Sequence, residues 1–309
     1  MKKIVISEFM DDAAVDTLRL NFDVCFDPAL VDEPERLMAE LADARALIVR
    51  NRTQVSAALL DAAVKLSAVG RLGVGLDNID MPACAERSVA VLPATGANAQ
   101  AVAEYVITTS LMLLRGTYLR SADVAAGEWP RQALSNGREA AGSVLAVIGF
   151  GGIGQLVARL ARGLGMTIVG HDPQLGRDAP CWRETGARCM ALDDALALAD
   201  VVTLHVPLTD TTRNLLNSER IGRLKRGAIV INTARGGTID ERALASALCE
   251  KRLAGAALDV FDDEPLKRGS PLAAAPNLIL TPHIAGLTVQ SNERVSSLVA
   301  QWVAAALSD

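Results

Sequence analysis

The stretch GFGGIG, Gly149–Gly154, decides how the rest of the chain is read. Its glycines at 149, 151 and 154 match G-x-G-x-x-G, the turn that joins a strand to a helix in dinucleotide-binding folds. Alone the pattern is weak, because a tight turn without a ligand uses the same residues. Its neighbours strengthen it. The apolar run SVLAVIG leads in, and QLVARLARGLGM leads out with Leu156, Leu160 and Leu164 at helical spacing. In such a unit Gly149 takes the tight turn, Gly151 lets the backbone approach a pyrophosphate, and Gly154 lets helix and strand pack closely. Gly152 and Ile153 open the helix, whose free N–H groups and positive dipole end suit phosphates. The next apolar run, TIVGHDP, ends in Asp172, eighteen residues past Gly154. A carboxylate there accepts from both ribose hydroxyls of NAD and repels a 2′-phosphate, while Arg177 is the nearby cation that would favour NADP.

Such turns usually stand near the start of a domain, yet this one comes almost halfway along 309 residues. Short Val- and Ile-rich runs alternate with longer Ala- and Leu-rich stretches on both sides of it. The strands expected before the turn are 4–6, 46–49, 66–71 and 89–92. A long helix follows from about Asn98 to Arg120. Further strands are expected at 144–149, 167–170, 201–206, 228–232, 255–260 and 278–281. Strands separated by helical stretches imply right-handed crossovers and parallel sheets. The fold class is therefore α/β, with two doubly wound parallel-sheet domains. The segment LPATGANAQAVAEYV ends the first near residue 97, and VSSLVAQWVAAAL reads as a last amphipathic helix, which makes the first domain discontinuous if it packs back there.

Composition narrows the function. Half the residues are hydrophobic but only 3% are aromatic, so the core is built from small and branched aliphatics. A net charge of −5 without a basic run argues against nucleic acid or a membrane surface as a partner. Five scattered cysteines and three histidines, with no C-x-x-C, give no metal site and suit reduced thiols in a cytoplasmic protein. The start MKKIVISEFM is a first strand rather than a signal peptide, and no apolar run is long enough to span a bilayer.

Three stretches downstream carry chemistry: NTARGGTIDE (232–241), ALDVFDDEP (257–265) and TPHIAG (281–286). Each starts in or just after an expected strand, where parallel sheets bind ligands. His283 can exchange a proton near neutral pH. A carboxylate beside it, Glu264, would stabilise imidazolium and orient the ring. Arg235 can grip a substrate carboxylate at two points. Singly, each has an ordinary reading: a loop salt bridge, a turn before proline, a polar gap filled. Together they suit hydride transfer between a hydroxyl-bearing carbon and nicotinamide. His171 precedes the ribose acid and belongs at the adenosine end. His205 ends VVTLHVP beside the cofactor, and neither has a carboxylate partner.

The ordered set GFGGIG, HDP, LHVPLTDTTRNLLN, INTARGGTIDE, GAALDVFDDEP and TPHIAG resembles the D-isomer-specific 2-hydroxyacid dehydrogenases, as do VGRLGVGLDNID and GANAQAVAEYV upstream. The resemblance runs from about Val49 to Gly286. It implies a flavodoxin-like substrate domain, 1–97 plus 284–309, into which a Rossmann-type NAD domain, 98–283, is inserted. It places the catalytic arginine, glutamate and histidine on Arg235, Glu264 and His283. Asp259 would meet the nicotinamide carboxamide, Thr233 and Ala234 would line its pocket, and His205, Val206, Pro207 and Gly286 would lie along NAD. The backbone of Leu72, Gly73, Val74 and Gly75 would bind the substrate carboxylate. Members are usually homodimers, with 98–138 as an arm. The polar lead-in SNGREAAG resembles the sulfolactate dehydrogenase-like subgroup.

Arg50 and Arg52 in VRNRT, with Arg71, form a cluster able to hold a second substrate anion such as a phosphate or sulfonate at C3. Solvated loop charges are the plain alternative for them. The main expectation is thus an NAD-dependent 2-hydroxyacid dehydrogenase, with a glyoxylate or hydroxypyruvate reductase as its neighbour reading. An NADH-sensing corepressor is the alternative of another class, disfavoured by the intact Arg–Glu–His set. An L-lactate-type enzyme would carry its glycine turn near the N-terminus. No formate-specific signature is present, and no regulatory domain is expected after the last helix.

Overall fold

The computed structural model describes residues 1–308. The chain divides into two compact units, Met1–Asn98 with the segment from Leu287 onward, and Ala99–Gly286. In the first unit β1 (Lys3–Ile6), α1 (Asp12–Arg19), β2 (Asp23–Phe26), α2 (Pro34–Leu41), β3 (Ala46–Val49), α3 (Ala57–Ala62), β4 (Ala68–Arg71), α4 (Met81–Glu86) and β5 (Ala90–Pro93) alternate strictly. They form a parallel sheet in the order β2-β1-β3-β4-β5, the flavodoxin-like arrangement. Each face of the sheet has its own apolar cluster, one around Ile4, Ile6 and Ile48, the other around Val5, Leu47 and Val49.

The chain's last helix, α12 (Val289–Ser308), covers the first of these faces. Its valines press on β4 so closely that a β-carbon on Gly70 would stand 2.7 Å from Val299 and 2.9 Å from Val303. Burying one such valine contributes about 1.5–3 kcal/mol. This seam, and not a continuous stretch of sequence, makes the first unit discontinuous.

The second unit begins with α5 (Ala99–Arg115) and the short α6 (Ser121–Ala125). Then come β6 (Val144–Ile148), α7 (Gly152–Gly163), β7 (Thr167–His171), α8 (Pro180–Thr185), β8 (Arg188–Cys189), α9 (Leu192–Leu198) and β9 (Val201–Leu204). The unit closes with α10 (Ser218–Arg223), β10 (Ala228–Asn232), α11 (Glu241–Cys249), β11 (Leu253–Leu258) and β12 (Leu278–Leu280). All pairs are parallel, in the order β12-β11-β10-β9-β6-β7-β8. The order reverses between β6 and β9, the switch point at which such sheets bind nucleotides.

The ten expected strands occur within about two residues of their expected bounds. Two more, β2 and β8, were not foreseen. Both are sheet edges with half-exposed side chains, so neither carries a continuous apolar run. The long helix stops at Arg115 rather than Arg120, with Gly116 following at a φ of 66°. The buried face of α7 is Gly154, Val157, Ala158 and Ala161, while Leu156 and Leu160 are only partly covered and Leu164 lies past the helix end. Small residues face the sheet there because the helix sits close to it.

Candidate active site

Six loops at the carboxyl edge of the seven-stranded sheet hold the sequence-identified residues of the second unit. The first is the glycine turn. Gly149 has a φ of 89°, and a β-carbon on it would stand 2.4 Å from the His205 carbonyl oxygen, so the crossing of the β6 and β9 ends demands glycine. A β-carbon on Gly154 would stand 2.3 Å from the Gly149 oxygen. Gly151 and Gly152 differ: both are exposed, with nothing within 4 Å of a β-carbon. Gly151 caps α7 without a side-chain hydrogen bond, so the first amides of the helix face open space. That is the form a pyrophosphate needs.

Asp172 ends β7 and is braced by the turn it serves. Its Oδ2 accepts from the Phe150 amide at 2.7 Å and its Oδ1 from the Gln174 amide at 2.9 Å. Each oxygen keeps a second acceptor site for a ribose hydroxyl. Arg177 is exposed in the following turn. His171 Nδ1 bonds with the Met190 carbonyl at 3.1 Å, on the β8 side of the sheet. His205 lies at the switch point with Nε2 3.0 Å from the Thr203 hydroxyl. Burial pushes its imidazole down to about 4, so the ring is neutral and serves no proton exchange at neutral pH.

The loops after β10, β11 and β12 interlock. Asn232, almost fully buried, uses its whole amide: Nδ2 donates to the Arg235 carbonyl and the Thr238 hydroxyl, each at 3.0 Å, and Oδ1 accepts from Ala234 at 3.0 Å. The loop bearing Arg235 is thereby fixed from beneath. Gly236 then lies flat on the next loop, and the Gly237 amide donates to Asp262 at 2.6 Å. Arg235 Nη1 reaches its neighbour's carbonyl, that of Ala234, at 2.6 Å. Thr233 has its hydroxyl oxygen buried without a partner, which fits a pocket wall meant for a polar ligand group.

His283 and Glu264 meet: Nδ1 lies 2.8 Å from Oε2, and both side chains remain substantially exposed. Glu264 Oε1 accepts from the Phe261 amide at 3.1 Å, which sets the carboxylate's plane. His283 has a φ of 56°, a conformation costly for a non-glycine residue. Asp259 sustains it. This carboxylate is 1% exposed and accepts from the Thr281 hydroxyl at 2.6 Å and from the Ile284 and Ala285 amides at 2.8 Å each. Its carbonyl takes the His283 amide at 2.9 Å. Asp259 thus pins the 281–285 turn: Oδ1 holds the Thr281 hydroxyl and the Ile284 amide, while Oδ2 holds the Ala285 amide and keeps a second acceptor site. Tyr105 extends the chain, its hydroxyl 2.6 Å from that of Thr281. Thr281 gives its only proton to Asp259, so Tyr105 must be the donor. Burial pushes the phenol up, beyond what the Thr281 bond recovers, and keeps it protonated for that role.

The first unit carries the other expected residues at the carboxyl edge of its own sheet. After β4 the expected backbone cradle is only half available. The Leu72 amide donates to the Val49 carbonyl and that of Gly73 to the Arg71 carbonyl, whereas among the described residues neither the Val74 nor the Gly75 amide has an acceptor. The Arg71 guanidinium folds over this turn, 2.2 Å from where a Gly73 β-carbon would be. After β3, Arg52 is exposed and ion-paired with Asp32, while Arg50 is half-buried, with Nη2 2.6 Å from Asn292 Oδ1 and the guanidinium 5.6 Å from the Phe9 ring centre. The sequence-derived cluster is thus split: Arg52 is ion-paired with Asp32, and the direct contacts of the Arg50 guanidinium are neutral groups.

Glu8, Asn232, Tyr105 and Thr281 escaped sequence reasoning. Each is a common polar residue near the end of a strand or within a helix, and only its hydrogen-bond partners in the fold mark it. Among the described residues no group of His, Cys, Asp and Glu is arranged to hold a metal ion, and no helix is long and apolar enough to cross a membrane.

Comparison with known proteins matches this geometry. Residues 107–285 fit the family described as D-isomer specific 2-hydroxyacid dehydrogenase, NAD binding domain. The chain is 52% identical over 307 residues to a (S)-sulfolactate dehydrogenase of Chromohalobacter salexigens, covering 99% of both. It is 40% identical to a chloroplastic D-3-phosphoglycerate dehydrogenase of Arabidopsis thaliana, where it spans 99% of this chain but 48% of that protein. Among solved structures it is similar to a D-lactate dehydrogenase of Aquifex aeolicus complexed with NAD and lactic acid, with a TM-score of 0.83, 27% identity and coverage of 99% and 97%. The glycine turn, Asp172 and the His283–Glu264 pair stand on one sheet edge in a chain that belongs to the D-isomer-specific 2-hydroxyacid dehydrogenases, NAD-dependent oxidoreductases of 2-hydroxy acids.

Proposed function

We propose that the chain interconverts a 2-hydroxy acid bearing an anionic group on C3 with its 2-oxo acid, and that 3-sulfolactate and 3-sulfopyruvate are that pair. The carrying observation is the 52% identity, across 99% of both chains, to a (S)-sulfolactate dehydrogenase. The configuration is consistent with the family. Sulfur makes the C3 carbon outrank the carboxylate, so (S)-sulfolactate has the spatial arrangement that D-3-phosphoglycerate has.

In this reading Arg235 grips the C1 carboxylate and polarises the carbonyl. His283 Nε2, the ring nitrogen turned away from Glu264, takes the C2 hydroxyl proton during oxidation and returns it during reduction. Glu264 accepts from Nδ1 and offsets the charge that forms on the ring. Bound NAD would supply the acceptor for the hydride that leaves C2. Gly151, Gly152, Ile153 and Asp172 would hold its phosphates and ribose, with His205, Val206, Pro207, Thr233, Ala234, Asp259 and Gly286 along the remainder. The amides of Val74 and Gly75, with Arg71 and Arg50, would meet the substrate's anions. Residues 98–283 would serve as the NAD domain, and 1–97 with 284–309 as the substrate domain.

The chain is further proposed to work as a cytoplasmic homodimer. Exposed Tyr118, Leu119, Val124 and Trp129 within 98–138 suit burial against a second copy, and five free cysteines suit a reducing compartment. A panel of 3-sulfopyruvate, 3-phosphohydroxypyruvate, hydroxypyruvate, glyoxylate, pyruvate and phenylpyruvate with NADH, followed at 340 nm, tests the substrate. The highest kcat/KM is expected for 3-sulfopyruvate. A preference for glyoxylate or hydroxypyruvate would instead make it a reductase of those acids.

A further inference from the structure

Glu8 lies two residues past the end of β1 and is 5% exposed, yet among the described residues it makes no ion pair. Four successive backbone amides converge on it instead. Oε1 accepts from Arg50 at 2.9 Å and Thr53 at 3.0 Å; Oε2 accepts from Asn51 at 3.2 Å and Arg52 at 3.1 Å. The Ser7 and Thr53 hydroxyls meet at 2.9 Å, and Asn78 Nδ2 donates to the Thr53 carbonyl at 2.7 Å. β1 and β3 are neighbours in the sheet, with Ile6 paired to Ile48, so the carboxylate reaches the turn without bending either strand. Burial pushes the Glu8 carboxyl up, but the amide donors outweigh it and hold the group below the ordinary glutamate range, ionised.

Two consequences follow. The turn has spent its amides on Glu8, so only a side chain can offer positive charge to an incoming anion. That side chain is Arg50, whose direct contacts are the neutral Asn292 amide and the Phe9 ring, with the Glu8 carboxylate acting on it only through space. Among the described residues Arg50 makes no ion pair, whereas Arg52 on the same turn is neutralised by Asp32. We propose that Glu8 is a positioning residue for specificity: it locks the Arg50–Thr53 turn so that the Arg50 guanidinium meets the C3 anion of a dianionic substrate. This rests on the substrate reading above.

The test is the ratio of kcat/KM for 3-sulfopyruvate over glyoxylate, with NADH. In the wild type a ratio well above one is expected; a ratio near or below one overturns the substrate reading, and this proposal with it, before any variant is made. In Glu8→Gln the ratio should fall about 10-fold, through KM for 3-sulfopyruvate, with kcat for that acid changed less than 2-fold. Amide hydrogen exchange at Arg50–Thr53 should accelerate in the same variant. An unchanged ratio alongside accelerated exchange would leave Glu8 a structural brace only and overturn the proposal, as would equal losses on both acids. Glu8→Asp keeps the charge on a shorter stem and should give an intermediate ratio. It carries the same comparison if Glu8→Gln does not fold.

Discussion

Gly236 and Phe261 lie so close that a β-carbon on the glycine would stand 1.8 Å from the phenylalanine's carbonyl oxygen. That contact joins the loop bearing Arg235 to the loop bearing Glu264. Backbone on backbone cannot yield as a flexible side chain does. Gly236→Ala must therefore separate the two loops, at a cost of about 1–3 kcal/mol or more. Because a displacement near 1 Å can cost about 100-fold in rate, kcat/KM should fall by about that factor. Thermal melting and steady-state kinetics check both effects. Wild-type kinetics in this variant would show that the spacing of the two loops is not what sets Arg235 against its substrate.

The His283–Glu264 pair predicts a division between chemistry and cofactor binding. His283→Ala should lower kcat by about 10²–10⁴-fold, the usual worth of a positioned acid–base group. NADH binding, read by fluorescence titration, should change less than 2-fold. Glu264→Gln keeps the hydrogen bond to Nδ1 but removes the charge, so its loss in kcat should be smaller than that of His283→Ala. An active His283→Ala enzyme would remove the ring from the mechanism.

Much of this was legible before any coordinates. Buried parallel strands need apolar runs on both faces, so Ala46–Val49 and Ala228–Asn232 stand in the sequence as they stand in the sheets. The meeting of His283 with Glu264 was legible because that chemistry has few substitutes and both loops follow recognisable strands. What stayed hidden depends on three-dimensional approach. Nothing in KIVISEFM says that Glu8 will meet four amides some forty residues on, and nothing in VRNRT says which arginine already has a counter-charge. Gly236 reads as loop flexibility until Phe261 is placed against it. Nothing in ALDVF says that the Asp259 carboxylate also gathers Thr281, Ile284 and Ala285, as a buried carboxylate must find donors.

Asp172 should govern the choice of nicotinamide cofactor. If Asp172 meets the adenosine ribose as proposed, a 2′-phosphate would lie beside its carboxylate, and two like charges about 4 Å apart repel by roughly 1–4 kcal/mol between water-like and surface-like dielectrics. Asp172→Asn retains an oxygen for the Phe150 or Gln174 amide while removing the charge. The ratio of kcat/KM for NADPH over NADH should rise about 10-fold or more. If the ratio stays put while both values fall together, Asp172 serves the fold of the turn and not the discrimination.

His205 predicts how the apo protein responds to acid. Burial lowers its imidazole to about 4 from an ordinary value of 6.5. Above pH 6.5 the ring is neutral in both folded and unfolded chains, so its contribution to stability is fully present. As pH falls from 6.5 toward 4, the unfolded chain takes up a proton that the folded chain refuses, and stability is lost by roughly 3 kcal/mol in all. Denaturant unfolding at a series of pH values should show this slope, and His205→Asn, which has no titrating ring, should flatten it. The ring's own NMR signals should stay at the neutral position from pH 8 down to about 5. A His205 that titrates near 6.5, or a variant with the parent's acid slope, would mean that water reaches the switch point and that the ring is free to carry a proton beside Gly149.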